Sequence, residues 1–130
     1  TRAFWYCVAE AVLHGAGLDL ERWPGTLHAV EHAAIGILPL FAICDRWDVG
    51  GVSTLRLPGA AAGGGGPGPG IVVYDGYPGG AGVAELGFDA ADRHLASTLE
   101  LLEGCRCADG CPSLAATIER GRELAAEHGW

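Results

Sequence analysis

The chain has 130 residues, 49% of them hydrophobic, and a net charge of −8. That length fits one domain with a modest core. No apolar run reaches the roughly 18 residues of a membrane helix, and so acidic a chain does not bind nucleic acid by counterion release on its own.

The longest apolar candidate, Ala33 to Cys44, is short and carries Pro39. No basic stretch precedes an apolar one, so no secretory signal is expected and the expected location is cytoplasmic. The chain starts at Thr1 and lacks Met, so it is expected to be part of something longer. It also lacks Lys, Asn and Gln, a bias read as that of a GC-rich coding sequence. Arginine here is therefore no sign of phosphate recognition.

"TRAFWYCV" (1–8) is aromatic and β-branched enough for an edge strand. Residues 9–25 read as one or two short helices ended by Pro24-Gly25. Thr26 is then a candidate N-cap for a helix through Cys44. Leu27, Val30, Ala34, Ile37, Leu38 and Phe41 form its stripe, and the helix is apolar enough all round to be central. Pro39 should kink it. "DVGGVSTLRL" (48–57) predicts a turn and a strand. "PGAAAGGGGPGPG" (58–70) predicts a flexible loop, and "IVVYD" (71–75) a buried strand.

The glycine-rich turn 76–82 leads into a predicted helix over 83–104. Its proposed apolar stripe is Val83, Leu86/Phe88, Ala91, Leu95, Thr98/Leu99 and Leu102, and Gly104 is its stop. A polar helix closes the chain. These elements predict an α+β fold: a small sheet of two or three strands packed by two long helices, with a C-terminal cysteine knuckle.

Four groups of residues can carry chemistry. Of five cysteines, three crowd into Cys105-x-Cys107-x-x-x-Cys111. Without a secretory signal, such crowding favours zinc over disulfides. Asp109-Gly110 supplies the turn, and Cys44 is a possible fourth ligand, although a lone cysteine is more often a small buried apolar group.

"HAVEH" (28–32) matches H-x-x-E-H, the zinc-protease pattern. His28, Glu31 and His32 share one helix face, and Glu31 would activate water there. A third ligand would come from another helix, with Glu100 and Glu103 as candidates. The plainer alternative, a polar cluster in which the histidines bond Glu31 or a loop, is favoured because short motifs arise by chance.

Asp45, Arg46 and Asp48 form a charged turn or a partner contact. The loop with Asp75, Gly76, Gly79 and Gly80 follows a strand, where phosphates are often cradled. It lacks the lysine and glycine spacing of the known phosphate loops, so a tight connection is favoured. His94 and His128 are expected to face solvent.

Taken in order, "LHAVEHAAIGILPLFAICDRWDVGGVST", "IVVYDGYPGGAGVAELGF" and "CRCADGCPS" resemble the MrfA-like zinc-binding domain. This domain lies at the C-terminus of certain bacterial DEAD/DEAH-box DNA helicases of superfamily two, linked to DNA repair. The resemblance covers most of residues 26–113. It leaves 1–25 as a lead-in, within the same domain or ending a preceding one, and 114–130 as a diverged C-terminal helix.

The resemblance implies zinc at Cys105, Cys107 and Cys111, a helicase core of the same polypeptide as partner, and DNA reached through that parent protein, with no membrane role. Leu114 stands where the family has its fourth cysteine. No ATP-binding lysine loop or DEAH box is present, so this segment alone is not expected to be an enzyme. The alternatives are a metal-free interaction domain and, third, the zinc protease.

Overall fold

Alternation of inward and outward side chains builds the sheet. The computed structural model describes residues 1–61 and 65–105. Three antiparallel strands, β1 (Ala3–Cys7), β2 (Val49–Leu57) and β3 (Gly68–Asp75), stand in the order β1-β3-β2. Phe4 pairs with Val73 and Tyr6 with Ile71; on the other side, Gly51 pairs with Val73 and Ser53 with Ile71. With a side-chain period of two, these residues share the face that the helices cover. Trp5, Val72 and Val52 lie in register on the opposite face, where Trp5 and Val52 are exposed.

The helices are α1 (Glu10–Gly15), α2 (Trp23–Ile37), α3 (Val83–Asp89) and α4 (Ala91–Gly104). The α+β class and the edge position of β1 agree with expectation. So does the central place of α2, which is buried without a break from Glu31 to Ile35. Phe4, Ile35, Leu38, Ala42, Val73, Val83 and Ala84 form one core group, and Leu27, Ala34 and Ile71 a second.

Several boundaries differ from the expected ones. Helix α2 begins at Trp23, not after Thr26, because Pro24 sits in its first turn, where a missing N–H costs nothing. Thr26 Oγ1 donates to the Arg22 carbonyl at 2.9 Å instead of capping. The helix stops at Ile37 and tightens into a 3₁₀ turn, Leu38–Leu40, around Pro39. Strand β3 takes in Gly68, Pro69 and Gly70 from the expected loop, and residues 62–64 lie outside the described part.

The predicted helix 83–104 is two helices that break at Ala90 (φ −95°, ψ 12°). Its inward face also differs. Val83, Ala84, Gly87, Ala90, His94 and Thr98 are buried, while Leu86, Phe88, Leu95 and Leu99 are exposed. Space decides this, because α4 approaches α2 at Ala34 and only small or hydrogen-bonded side chains fit between.

Gly87 shows the same constraint. A Cβ there would lie 2.5 Å from the Phe4 ring and 3.2 Å from Leu38 Cδ1. Gly87→Ala is therefore expected to destabilise the fold by about 1–3 kcal/mol, read as a lower urea midpoint. An unchanged midpoint would show that the Phe4 ring moves freely.

Candidate functional site

Glycine at position 51 sets the floor of the best-formed polar cluster. A Cβ there would stand 2.7 Å from Ile35 Cδ1 and 2.8 Å from Glu31 Oε1. Its absence lets the middle of α2 settle on β2. Glu31 is 4% exposed, and its Oε2 lies 3.1 Å from His28 Nδ1. A carboxylate only accepts, so His28 Nδ1 carries the proton and donates. Ser53 Oγ stands 3.4 Å from the same nitrogen.

This leaves the His28 Nε2 lone pair facing His32, where it accepts from His32 Nε2–H at 3.1 Å. His32 is buried, and its Nδ1 has no hydrogen-bond partner among the described residues. Such a gap costs about 1–3 kcal/mol. Burial lowers the His32 pKa, the neighbouring His28 lowers it further, and Glu31 opposes them. His28, Glu31 and His32 are the one group among the described residues whose ligand atoms could share an ion, all within 4.8 Å. Glu100 and Glu103 are exposed and outside this group.

The cysteines are only partly visible. Cys105 follows α4 as a half-buried free thiol, while Cys107 and Cys111 lie outside the described residues. Cys105 is close to Leu102, which lines a groove with Arg22, Gly25, Thr26, Ala29 and Val30 at the first half of α2. Cys44 packs on the core group at the other end of α2, so the structure does not bring Cys44 to Cys105. Burial pushes the Cys44 thiol pKa up, and Asp48, Asp45 and Asp75 push the same way. A thiol held protonated is a poor ligand. The free, accessible Cys105 fits a thiolate ligand of zinc.

Asp45 and Asp48 close a local capping box. The Asp45 N–H donates to Asp48 Oδ2 at 2.9 Å and the Asp48 N–H donates back to the Asp45 side chain, beside a backbone bond from the Asp48 N–H to the Asp45 carbonyl at 2.9 Å. The Arg46 side chain lies outside the described part. Asp75, 1% exposed, turns its carboxylate back into the glycine loop. Oδ1 accepts from Tyr77 N–H at 3.1 Å, and Oδ2 from Ala81 N–H at 2.6 Å and Val83 N–H at 3.2 Å. The Gly76 N–H donates to the Asp48 carbonyl at 2.7 Å. Gly79 and Gly80 take φ of +80° and +89°. The donors that a phosphate would need are thus taken by the chain's own oxygens.

One polar centre was not anticipated. His94 is fully buried, not solvent-facing. Its Nε2 lies 2.7 Å from the Ala34 carbonyl and its Nδ1 2.7 Å from the Tyr6 hydroxyl. A carbonyl only accepts, so Nε2 carries the proton and Nδ1 accepts from Tyr6.

A sheet with one helix-covered face, ending in a Cys-x-Cys-x-x-x-Cys run, defines a small domain of the zinc-binding type. The family model of the MrfA Zn-binding domain matches residues 30–113, and the chain belongs to that family.

An uncharacterised protein of Methanocaldococcus jannaschii is 40% identical over 91 residues, covering 66% of this chain and 74% of that protein. An uncharacterised ATP-dependent helicase, YprA of Bacillus subtilis, is 41% identical over 97 residues, covering 75% of this chain but 12% of the helicase. The crystal structure of the DUF1998 helicase MrfA bound to DNA and AMPPNP superposes with a TM-score of 0.60 at 32% identity. It covers 86% of this chain and 13% of that one. MrfA bound to DNA alone gives 0.60 at 31% identity, over 85% of this chain and 15% of that one. The chain therefore spans a small part of the helicases it resembles. No helix among the described residues is long and apolar enough to cross a membrane.

Proposed function

We propose that this chain is a non-catalytic accessory domain of an ATP-dependent DNA helicase acting in DNA repair. It packs on the helicase core of the same polypeptide and helps guide the DNA strands. One observation carries this reading: the chain corresponds to 12–15% of helicase chains, one of them crystallised with DNA.

The surface supports it. Trp5 and Val52 are exposed on the open sheet face, and Leu86, Phe88, Leu95 and Leu99 on α3 and α4, apolar surface suited to contact with a larger body. A net charge of −8 leaves DNA attraction to the rest of the protein.

Zinc bound by Cys105, Cys107 and Cys111 ties down the end of α4. With Leu114 at the fourth family position, water fills the open place and affinity falls below that of a Cys₄ set. Freshly purified, reduced protein is expected to hold close to one zinc per chain, and Cys105→Ser to lose it. Zinc-free wild type by metal analysis would refute the bound metal and favour a metal-free packing domain. The protease reading is disfavoured because Glu31, its water-activating base, is buried against Gly51 and committed to His28.

A further inference from the structure

The face of α2 above β2 holds a second arrangement suited to metal, built from residues other than the cysteines. We infer that His28 and His32 bind a divalent zinc-type ion through their two Nε2 atoms, with Glu31 orienting His28 from behind. Three observations meet here.

The first is distance. Two nitrogens each about 2.0–2.1 Å from a tetrahedral ion stand about 3.3–3.4 Å apart. The two Nε2 atoms are already 3.1 Å apart, so a small opening admits the ion.

The second is the tautomer. A histidine that ligates through one nitrogen usually donates the other N–H to a carboxylate or carbonyl. His28 does so toward Glu31 Oε2, which turns the Nε2 lone pair toward His32, its one side-chain partner among the described residues. Glu31 is itself pinned by burial against Gly51 and Ile35.

The third is the incomplete bonding of His32. The ring is buried with Nδ1 unpartnered among the described residues, and without an ion its Nε2 contacts only another imidazole. An ion between the rings serves both Nε2 lone pairs at once, whereas the imidazole pair serves only one of them by having the other ring donate.

The His28 side chain is 44% exposed, so the ion reaches the site from solvent and water completes its shell. Imidazole donors select zinc, copper or nickel over magnesium or calcium. The site is not read as a protease centre, because Glu31, the base such chemistry needs, is committed to His28.

The test uses the full chain, carrying whatever zinc it retains, titrated with Zn²⁺ alone and followed by histidine ring ¹⁵N resonances. Added zinc is expected to shift the Nε2 signals of His28 and His32 while those of the buried His94 stay fixed. His28→Gln changes an accessible residue and is expected to weaken this added binding at least tenfold. Glu31→Gln should weaken it about 10–100-fold. Cys105→Ser should leave it intact, so loss of the cysteine-bound ion and loss of this one are read separately. Unmoved His28 and His32 signals at saturating zinc, or undiminished binding in folded His28→Gln, would overturn the site.

Discussion

His94→Ala is expected to cost the fold about 3–5 kcal/mol, the range for deleting a buried ring. The ring has no exposed surface and lies among Phe4, Tyr6 and Phe41, with centroids 5.8–5.9 Å away. Truncation opens a cavity and strips the Tyr6 hydroxyl of its 2.7 Å acceptor. Its remaining contact, the Ala91 carbonyl at 3.5 Å, is a weak substitute. Urea unfolding at neutral pH measures the loss, and a cost under about 1 kcal/mol would show that the ring does not hold α4 to β1 and α2.

The same residue makes stability depend on pH. Burial lowers the His94 pKa below 6.5, and the bond to Ala34 only partly restores it. A depressed folded pKa means that this stabilisation is complete above about 6.5, the unfolded value. It is lost as pH falls from there through the folded pKa, with a slope of at most about 1.4 kcal/mol per pH unit. His32 shifts the same way and adds to the same window. His94→Phe should therefore flatten the acid slope without abolishing it.

Asp75→Ala is expected to cost about 3 kcal/mol or more, because at least three backbone N–H donors lose a charged acceptor at once. Gly82, at the head of α3, has no side chain to cap it, and Asp75 reaches from the end of β3 to do so. Asp75→Asn should rescue little, since its NH₂ would face N–H donors. Hydrogen exchange should quicken first at Tyr77, Ala81 and Val83, and unchanged exchange there would refute the anchoring role.

Burial alone would raise the Asp75 pKa, but the N–H groups of Ala81, Tyr77, Val83 and Gly82 outweigh it and hold it below the usual carboxylate range. Its stabilisation is present above about 3.9, the unfolded value, and disappears as pH falls through the folded one. The acid limb of unfolding should therefore have two parts: histidine below about 6.5, then Asp75 below about 3.9.

What could be read from the residues depended on range. The aromatic and β-branched content of 1–8, the apolar run of 71–75 and the apolar girth of α2 are local patterns and led to the right elements. The H-x-x-E-H spacing did bring His28, Glu31 and His32 together. Pro24 misled because the same residue ends one helix or opens another, and only the packing of Trp23 decides between them. The inward face of 83–104 also misled. Leucines mark an apolar stripe, yet the side of α3 and α4 that faces the core carries small residues and the hydrogen-bonded His94 and Thr98. His94 sits between Arg93 and Leu95 with no local sign of burial. Its partner Tyr6 is 88 positions away, and that pairing exists only after the sheet has formed.

That order of events follows from the sheet itself. The middle strand, β3, is the last of the three in the chain, and β1 is the first. On the ribosome, at roughly 5–20 residues per second, β1 waits on the order of 3–12 s before its partner is made. During that interval "FWYC" is an unpaired, aromatic segment open to wrong partners. Folding is therefore expected to close late and as a unit, with a rate limited by joining distant strands rather than by helix formation. A permuted chain that places β1 directly after β3 would bring the two edges together early and fold faster, with the same final register.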